Sequence, residues 1–510
     1  MLTRSGTTRA HYLQRGFTAK CISIQDWPQK LYIQGGTQML FSSVLFLFRF
    51  LPIVIILYYL SPPKLKNPTL LLCSLVFYGW GEVKYLWIVA VVILINYSCG
   101  ILIGRAEKPS ARRFFLILSA AGSLSMLFWF KYAGFFAAAV NQIAGPGTVA
   151  VKTVVLPLGI SFYTFQSMSY SIDVYRKKVD CEKNIINFSA YVAMFPQLIA
   201  GPIVRYSDVS ERLHTLKNRI SPEQVEEGVS LFVFGLAKKV LLADSVNMLW
   251  TDIVGRYSEG RLVTAGVGLA NASTPLAWLG IAAYALYIYN DFSGYSLMGI
   301  GLGKMLGFNF PDNFNLPYIS RSITEFWRRW HITLSSWFRE YVYIPLGGNR
   351  KGLPRQILSL LVVWLLTGFW HGAGWNFILW GLYYFVFLTV EKLFLLKPLE
   401  HGRVWPRIYT LFIVLTGWAI FVSGDPGVGL GLLMNKLFVP QSGVGWLYFA
   451  RNYALILIIA AFFSCSIPAK IYDRIKKNTF ARVLILLLLF AACAAYIVSG
   501  GYKPFLYFNF

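Results

Sequence analysis

Long apolar runs recur along nearly the whole chain, and they restrict what it can fold into. The clearest are LFSSVLFLFRFLPIVIILYYL (40–60), YLWIVAVVILINYSCGILIG (85–104), YALILIIAAFFSCSIP (453–468) and VLILLLLFAACAAYIV (483–498). Of the 510 residues, 56% are hydrophobic and only 14% are charged, which excludes a set of soluble domains with polar surfaces. Because one bilayer crossing needs roughly 20 apolar helical residues, the runs predict an all-α polytopic transmembrane bundle of about ten to twelve spans, with re-entrant or interfacial helices besides.

Short basic loops between the apolar runs contribute much of the net charge of +25. Examples are RAEKPSARR (105–113), YRKKVDCEKN (175–184) and KIYDRIKK (470–477). This is the positive-inside pattern of cytoplasmic loops, so we expect no nucleic-acid partner. Membrane lipid with anionic headgroups and a phosphate-bearing cytoplasmic donor remain candidates. The six cysteines form no CxxC pair, and they predict neither a disulfide framework nor a metal site.

The first 38 residues differ from the rest of the chain. Residues 1–38 are polar and basic, lack the apolar stretch of a secretory signal, and end abruptly at an apolar run that begins with Met39. The residues QGGTQM at 34–39 can be encoded by DNA that holds a purine-rich bacterial ribosome-binding sequence just before an ATG codon. This predicts Met39 as the native start and 1–38 as a translated polar leader, although a disordered tail fits the amino acids equally well. The transmembrane domain then spans 39–510.

Polar side chains inside the apolar runs are informative because each is costly there unless it is paired or faces a cavity. Gln166 interrupts the run PLGISFYTFQSMSYSIDVYR, and Asn290 with Asp291 interrupt the run that contains YNDFSGYSLMGIGLGKMLGF. Intramembrane polar residues of this kind mark functional sites. We therefore expect these three side chains to line a polar site within the bundle.

His331 lies in the aromatic segment RSITEFWRRWHITLSSWFREYVYIPLGGNRKG (321–352). Aromatic and apolar residues recur there at i, i+3, i+4 and i+7, which predicts one face of a single helix. The arginines fall largely on other faces, as in a helix at the cytoplasmic interface or in the mouth of the bundle. Periodicity alone therefore favours an amphipathic interfacial histidine at this position.

His371 interrupts LLTGFWHGAGWNFILWG (365–381) between two mostly apolar stretches of 14 residues, 357–370 and 377–390. Each covers only about 21 Å as a helix, less than a bilayer core of roughly 30 Å. HGAGWN is thus either an outside turn or a helix break within the protein, and its exposed backbone needs polar partners. Both interpretations place His371 in a polar pocket or funnel. A packing histidine beside a small-residue helix contact is the alternative.

The motifs that are absent limit the chemistry of the two histidines. The chain has no HExxH motif, no carboxylate–histidine cluster at metal-ligand spacing and no GxSxG elbow, so we expect no metal and no serine hydrolase triad. A neutral imidazole can instead act as general base and take the proton of a hydroxyl group that attacks an activated acyl carbonyl.

Five motifs, taken in order, resemble the membrane-bound O-acyltransferase superfamily and most closely its alginate O-acetyltransferase branch. They are PLGISFYTFQSMSYSIDVYR, FPQLIAGPIVRY, YNDFSGYSLMGIGLGKMLGF, FWRRWHITLSSWFREYVYIPLGGNRKG and LLTGFWHGAGWNFILWG. By position, the resemblance implies that His371 is the catalytic histidine and His331 the second histidine. It also implies a central funnel or tunnel. We assign its lining to Trp330, Trp370, Trp375 and Asn376, together with Gln166, Asn290 and Asp291.

The resemblance also implies substrates, partners and location. The donor is expected to be acetyl-CoA or an acyl-carrier thioester, with no bound cofactor. The acetyl group is expected to pass outward, across a bacterial cytoplasmic membrane, to a separate SGNH-type acetyltransferase that decorates a polysaccharide. Candidate contacts for the donor phosphates are Arg328, Arg329, Arg339 and Arg350. Positive-inside charge that faces lipid headgroups explains these arginines equally well.

The C-terminal sequence GYKPFLYFNF resembles an aromatic motif thought to carry an acyl group as a tyrosyl ester, which implies Tyr507 as a transient acyl carrier. Anchoring of the tail at the membrane interface by its aromatic residues is the alternative. Two other functions stay open. One is transfer of D-alanine to teichoic acid by a related acyltransferase, and the other is a transporter or flippase, which broken helices and buried polar residues also suit.

Overall fold

The computed structural model of this chain describes residues 39–150, 155–199, 201–215, 220–258 and 261–501. From Met39 onward the chain forms one compact unit. The leader 1–38 and the candidate acyl carrier Tyr507 both lie outside the described residues, so the sequence predictions about them remain predictions.

α-Helices account for most of the described residues. In chain order they are Leu51–Leu60, Lys66–Glu82, Leu86–Arg105, Pro109–Leu127, Ala133–Ala144, Ile160–Tyr175, Ile185–Ala193, Phe195–Leu198, Tyr206–His214, Pro222–Ala237, Asp244–Val254, Thr274–Met305, Ile323–Arg329, Ile332–Phe338, Leu353–His371, Trp375–Val390, Leu396–His401, Trp405–Val422, Leu430–Phe438, Trp446–Phe462, Ile467–Ile475 and Thr479–Tyr496.

Shorter elements connect or extend these helices. The 3₁₀ turns are Pro63–Leu65, Val83–Tyr85, Leu269–Asn271 and Pro317–Ile319, and the π-helical segments are Phe46–Phe50, Phe128–Tyr132, Lys238–Ala243, Arg339–Tyr343, Glu391–Leu395 and Ile497–Gly501. The strands of the described residues form one antiparallel hairpin, Arg256–Ser258 with Arg261–Thr264. The predicted all-α class is confirmed.

Among the described residues, six helical segments are long and apolar enough to cross a membrane. They are Pro63–Arg105, Pro109–Ala144, Leu353–His371, Trp375–His401, Trp405–Val422 and Thr479–Gly500. A seventh span results if the bent pair Trp446–Phe462 and Ile467–Ile475 is taken together. The ten to twelve spans predicted from the sequence also include apolar runs that form shorter helices or helices inside the bundle. The helix Ile160–Tyr175, for example, is buried along almost its whole length.

The long helix Thr274–Met305 packs backbone to backbone against the helix Pro222–Ala237. A Cβ atom added to Gly235 would lie 2.5 Å from the carbonyl oxygen of Gly294, and one added to Gly228 would lie 2.7 Å from that of Gly301. Only glycine fits at such distances. Gly294 and Gly301 therefore serve close helix packing, as small residues do between membrane helices.

Candidate active site

His371 is the last residue of the helix Leu353–His371, and the next helix starts at Trp375. The two helices form a tight hairpin, since a Cβ atom at Gly381 would collide with the carbonyl oxygen of Trp364. Between them, Gly372 and Gly374 have extended backbone angles that end the helix. A turn between two helices therefore follows His371, as both interpretations of HGAGWN require, and it leaves the imidazole at a helix terminus.

Aromatic rings surround the His371 side chain, which is only 3% exposed. Its ring centroid lies 5.0 Å from those of Trp370 and Trp380 and 5.5 Å from that of Phe421, and each pair of rings is nearly perpendicular. Such a setting excludes water from the imidazole, which strengthens any electrostatic contact made there.

His331 separates two short helices, Ile323–Arg329 and Ile332–Phe338, and has a left-handed backbone with φ of 45°. Positive φ is uncommon for a residue other than glycine, and the surrounding structure must stabilise it. The side chain is 1% exposed. The prediction of one continuous amphipathic helix with an interfacial histidine is therefore wrong. The aromatic spacing continues across the break between the two short helices, so the periodicity gave no sign of the break.

Asn313 holds His331 through its side-chain amide. The amide oxygen Oδ1 lies 3.0 Å from Nδ1 of His331 and accepts the Thr333 hydroxyl group at 2.8 Å and the Thr333 backbone N–H at 3.3 Å. The amide nitrogen donates to Ser296 Oγ at 2.9 Å and to the carbonyl of Gly201 at 3.4 Å. A backbone N–H can only donate and a carbonyl can only accept, so this network fixes which way the amide points.

The orientation of Asn313 determines the tautomer of neutral His331. Because Oδ1 only accepts, Nδ1 of the imidazole carries the proton, and Nε2 presents its lone pair. Nε2 is buried and has no hydrogen-bond partner among the residues described. This is the form of the ring that can accept a proton from a substrate.

Trp370 lies between the two histidines, which are 40 positions apart in the sequence. Its ring centroid is 5.0 Å from that of His371 and 5.7 Å from that of His331. Phe162 and Phe165 of the helix Ile160–Tyr175 pack on the same indole at 5.4 and 6.1 Å. The structure thus brings both predicted histidines and Trp370 into one buried aromatic cluster.

Trp330 and Asn376 belong to the walls of this cluster. Trp330 is 1% exposed and lies 5.1 Å from Phe314 and 4.8 Å from Trp418, ring to ring. Asn376 donates from Nδ2 to the carbonyl oxygen of Phe421 at 2.8 Å. Because Phe421 contacts the His371 ring, Asn376 acts on the site by holding one of its walls.

Gln166 and Asn290 are both completely buried. Asn290 donates to the carbonyl oxygen of Leu286 in its own helix at 2.8 Å, while its Oδ1 has no hydrogen-bond partner within the described ranges. For Gln166, neither side-chain Oε1 nor Nε2 has a partner there. A buried amide with all its hydrogen-bonding capacity unused is unusual, since native structures normally pair such groups.

Asp291 and Trp375, two further residues of the predicted lining, differ from the buried amides of Gln166 and Asn290. Asp291 forms a buried ion pair with Lys239 at 2.9 Å, and Lys239 also pairs with Asp244 at 2.6 Å. Its carboxylate is therefore committed to packing between helices. Trp375 is 60% exposed and packs on Phe135 at 5.5 Å, because the break after His371 turns the first residue of the next helix outward. Asp291 is thus held in an ion pair and Trp375 is exposed, and their assignment to the lining stays a prediction.

The four arginines proposed to contact the donor phosphates differ in their exposure and in their contacts within the protein. Arg329 forms an ion pair with Glu325 at 2.8 Å and donates to the carbonyl oxygen of Asn315 at 3.1 Å. Arg328, Arg339 and Arg350 are exposed. Arg329 is therefore engaged within the protein, whereas the other three stay available to a donor or to lipid headgroups.

Sequence reasoning missed three residues that shape the site. Asn313 lies in the loop before Pro317–Ile319, where no periodic pattern applies. Lys131 and Tyr132 contact the end of the His371 helix through the carbonyl oxygens of Trp370 and Phe369. A usable signal existed for Lys131, since it is a charged residue within an apolar run.

Two cavities of about 620 and 420 Å³ lie away from the histidines. The larger has a wall that includes Leu47, Phe232 and Phe490, and the smaller one that includes Tyr383, Phe387 and Met434. Their walls are almost wholly apolar, as expected of grooves that face lipid tails. The predicted central funnel or tunnel remains a prediction.

Comparison with known proteins gives the family. The model of the membrane-bound O-acyltransferase family matches residues 123–398, more than half of the chain. "Probable alginate O-acetylase AlgI" of Pseudomonas putida is 38% identical over 508 residues, which cover 92% of this chain and 100% of that protein. "Peptidoglycan O-acetyltransferase" of Helicobacter pylori is 32% identical, with coverage of 81% and 82%. "Teichoic acid D-alanyltransferase" of Streptococcus thermophilus is 28% identical, with coverage of 50% and 65%.

The matched segment contains both buried histidines and the hairpin that ends one of their helices. Similarity to the alginate O-acetylases extends over most of the chain. We conclude that this chain belongs to the membrane-bound O-acyltransferase family, in the alginate O-acetylase-like branch, and is a multi-pass membrane enzyme that transfers acyl groups to oxygen.

Proposed function

We propose that this enzyme takes an acetyl group from a cytoplasmic thioester and passes it across a bacterial cytoplasmic membrane for O-acetylation of an extracytoplasmic polysaccharide. One observation carries the proposal. Two buried histidines lie against the same indole, and the hydrogen bonds of Asn313 leave Nε2 of His331 unprotonated in the neutral ring. The names of the relatives from P. putida and H. pylori support acetyl as the acyl group.

In the proposed reaction, an acceptor hydroxyl group attacks the thioester carbonyl carbon. His371 removes the hydroxyl proton as the new C–O bond forms, the C–S bond then breaks, and the leaving thiolate takes up the proton. A positioned general base is worth about 10² to 10⁴ in rate. His331 is the second histidine, adjacent through Trp370. The aromatic rings around both histidines exclude water, which protects the thioester from hydrolysis.

Gln166 is the proposed stabiliser of the carbonyl oxygen. Its amide is buried and unpaired within the described chain, as a donor kept for a substrate would be. Negative charge develops on that oxygen during attack, and one donor placed there is typically worth about 10² to 10³ in kcat.

Donor and acceptor define the two ends of the proposed route. Acetyl-CoA or an acyl-carrier thioester enters from the cytoplasm, with Arg328, Arg339 and Arg350 as candidate phosphate contacts. On the outer side, a separate SGNH-type acetyltransferase receives the group, and Tyr507 is proposed as its transient carrier. If Tyr507→Phe leaves polysaccharide acetylation unchanged, the carrier role fails while the enzyme assignment stands.

Transfer of D-alanine to teichoic acid is the second candidate, favoured by the 28% identity with the S. thermophilus D-alanyltransferase. Membership of an acyltransferase family removes the transporter alternative. Membranes supplied with radiolabelled acetyl-CoA or with D-alanine loaded on a carrier protein separate the two donors directly. Label incorporated only from the D-alanyl donor would overturn the acetyl assignment.

The central test is His371→Ala, measured as O-acetyl ester on the cell's polysaccharide and normalised to the amount of enzyme in the membrane. We expect a loss of at least about 10²-fold. His401→Ala is the matched control, because His401 is exposed and, within the described part of the chain, its imidazole bonds a carbonyl oxygen of its own helix. Unchanged ester in His371→Ala would remove the catalytic assignment.

A further inference from the structure

Two consecutive residues of another helix hold the helix terminus that carries His371. Lys131 and Tyr132 end the π-helical segment Phe128–Tyr132, within the apolar stretch Pro109–Ala144. The Lys131 ammonium group donates to the carbonyl oxygen of Trp370 at 2.6 Å, and the Tyr132 hydroxyl group donates to that of Phe369 at 2.7 Å. We call this pair of residues the terminal clamp.

These hydrogen bonds satisfy backbone carbonyl groups at the C-terminus of the helix Leu353–His371. The last four carbonyl groups of an α-helix have no intrahelical partner, and the buried Trp370 and His371 leave little access for water to satisfy them. The extended backbone of Gly372 rules out the usual left-handed glycine cap. Phe369 and Trp370 are the two residues before His371, and their carbonyl groups instead receive side-chain donors from the clamp.

Ring contacts add rigidity to the clamp. The Tyr132 ring stacks on that of Phe369, with centroids 4.4 Å apart and planes at 23°. Lys131 Nζ also donates to Ser161 Oγ at 3.3 Å, in the first turn of the helix Ile160–Tyr175. Three helices therefore meet at the residues that immediately precede His371.

We propose that Lys131 and Tyr132 are positioning residues that set the height and rotation of His371 relative to His331 and the substrates. This inference rests on the proposed function, in which His371 is the base. Neither residue is assigned to the reacting atoms, because both bond the backbone of neighbouring residues. Their effect is geometric, and a displacement of about 1 Å at a reacting group can cost roughly 10²-fold in rate.

The test compares Lys131→Met and Tyr132→Phe with two matched controls. Lys436→Met removes a buried ammonium that donates to a single carbonyl oxygen, that of Ala272, at 3.0 Å. Tyr58→Phe removes a buried hydroxyl group that donates to the carbonyl oxygen of Leu306 at 2.9 Å, also at the end of a helix. All variants are purified as full chains and assayed with acetyl-CoA.

We expect kcat to fall by roughly 10- to 100-fold in both clamp variants, with KM for acetyl-CoA unchanged within about twofold. Both controls should keep their kcat. Lys131→Cys alkylated with 2-bromoethylamine regains an ammonium of nearly lysine length and should recover activity, with wild type treated alongside to account for native cysteines. Equal losses in the controls, or a rise in KM with kcat intact, would overturn the positioning role.

A second readout does not depend on acetyl transfer. Diethyl pyrocarbonate modifies imidazole nitrogens, and peptide mass spectrometry measures the rate at His371. Labelling should accelerate in Lys131→Met and Tyr132→Phe and stay at the wild-type rate in the controls. Unchanged labelling together with unchanged kcat would refute the clamp. Faster labelling combined with full acetyl transfer by His371→Ala would instead retain the clamp as a structural feature and refute the proposed function.

Discussion

Asn313 Oδ1 lies 3.0 Å from Nδ1 of His331, and the same oxygen accepts two hydrogen bonds from Thr333. One amide therefore fixes both the orientation and the tautomer of a buried histidine. Orientation by a hydrogen bond to the second ring nitrogen is a general device for histidines in active sites.

Replacement of Asn313 by leucine removes this control while keeping the number and branching of the side-chain heavy atoms. We expect Asn313→Leu to lower kcat/KM by roughly 10- to 100-fold, because His331 loses its fixed tautomer and Thr333 loses its acceptor. Assays of membranes with equal amounts of enzyme measure the effect. Asn271→Leu is the control, since that amide bonds only the Val267 carbonyl oxygen near the surface. Full activity in Asn313→Leu would exclude a role for the tautomer.

Gln166→Leu separates function from stability. The Gln166 side-chain amide is buried with no partner in the described chain, so its loss removes a desolvation cost and no protein hydrogen bond. We expect the thermal midpoint of the detergent-solubilised enzyme to stay the same or rise, while kcat falls by roughly 10²-fold. A variant that is stable and fully active would show that the amide does not contact the substrate.

The buried pairs of Lys239 with Asp244 and Asp291 predict a stability defect. Lys239→Met leaves two buried carboxylates without their lysine, and breaking such pairs costs about 3–5 kcal/mol. We expect less enzyme in the membrane and a lower thermal midpoint. Lys476→Met breaks the exposed pair with Asp473 and should change neither quantity measurably. Normal stability of Lys239→Met would contradict a structural role for the buried pairs.

Asp425 predicts a pH dependence of stability. It lies in the turn between the helices Trp405–Val422 and Leu430–Phe438, and burial raises the pKa of its carboxyl group from 3.8 to about 6. The folded state therefore favours the protonated acid. Its contribution to stability is complete below pH 3.8 and is lost as the pH rises through about 6.

Asp425→Asn keeps the shape of the protonated acid without its charge. We expect it to be more stable than wild type at about pH 7.5, by about 1–2 kcal/mol, and no more stable at about pH 4. Thermal midpoints measured across this range test the sign. Asp473→Asn, at an exposed position, should leave the pH profile as it is. A gain that is equal at both pH values would assign the effect to something other than ionisation.

Composition and the order of the motifs were sufficient to predict the helical membrane fold and the family. Apolar runs predicted a helical membrane bundle, and the glycines around His371 predicted either a turn or a helix break there. Six or seven helices of the described chain qualify as spans by length and composition, fewer than the ten to twelve predicted, because helices such as Ile160–Tyr175 are shorter and bury polar side chains.

Local pattern also misled at particular residues. Aromatic spacing runs through His331 without interruption, so the left-handed backbone there had no signal in the periodicity. Trp375 is four positions from His371 in the sequence, but the extended glycines direct it outward. The contacts of Asn313, Lys131 and Tyr132 join segments far apart in the chain, and no rule of local spacing reports such contacts.

The two glycine contacts between Pro222–Ala237 and Thr274–Met305 constrain how the enzyme can move. Gly228 contacts Gly301, and Gly235 contacts Gly294. Within each helix the two glycines are seven positions apart, so the helices match at two points along their length. A slide by one helical turn, about 5.4 Å, would set bulkier side chains against backbone where only a hydrogen atom fits. These helices therefore form a fixed frame, and any rearrangement that admits a donor or releases a product has to occur elsewhere in the bundle.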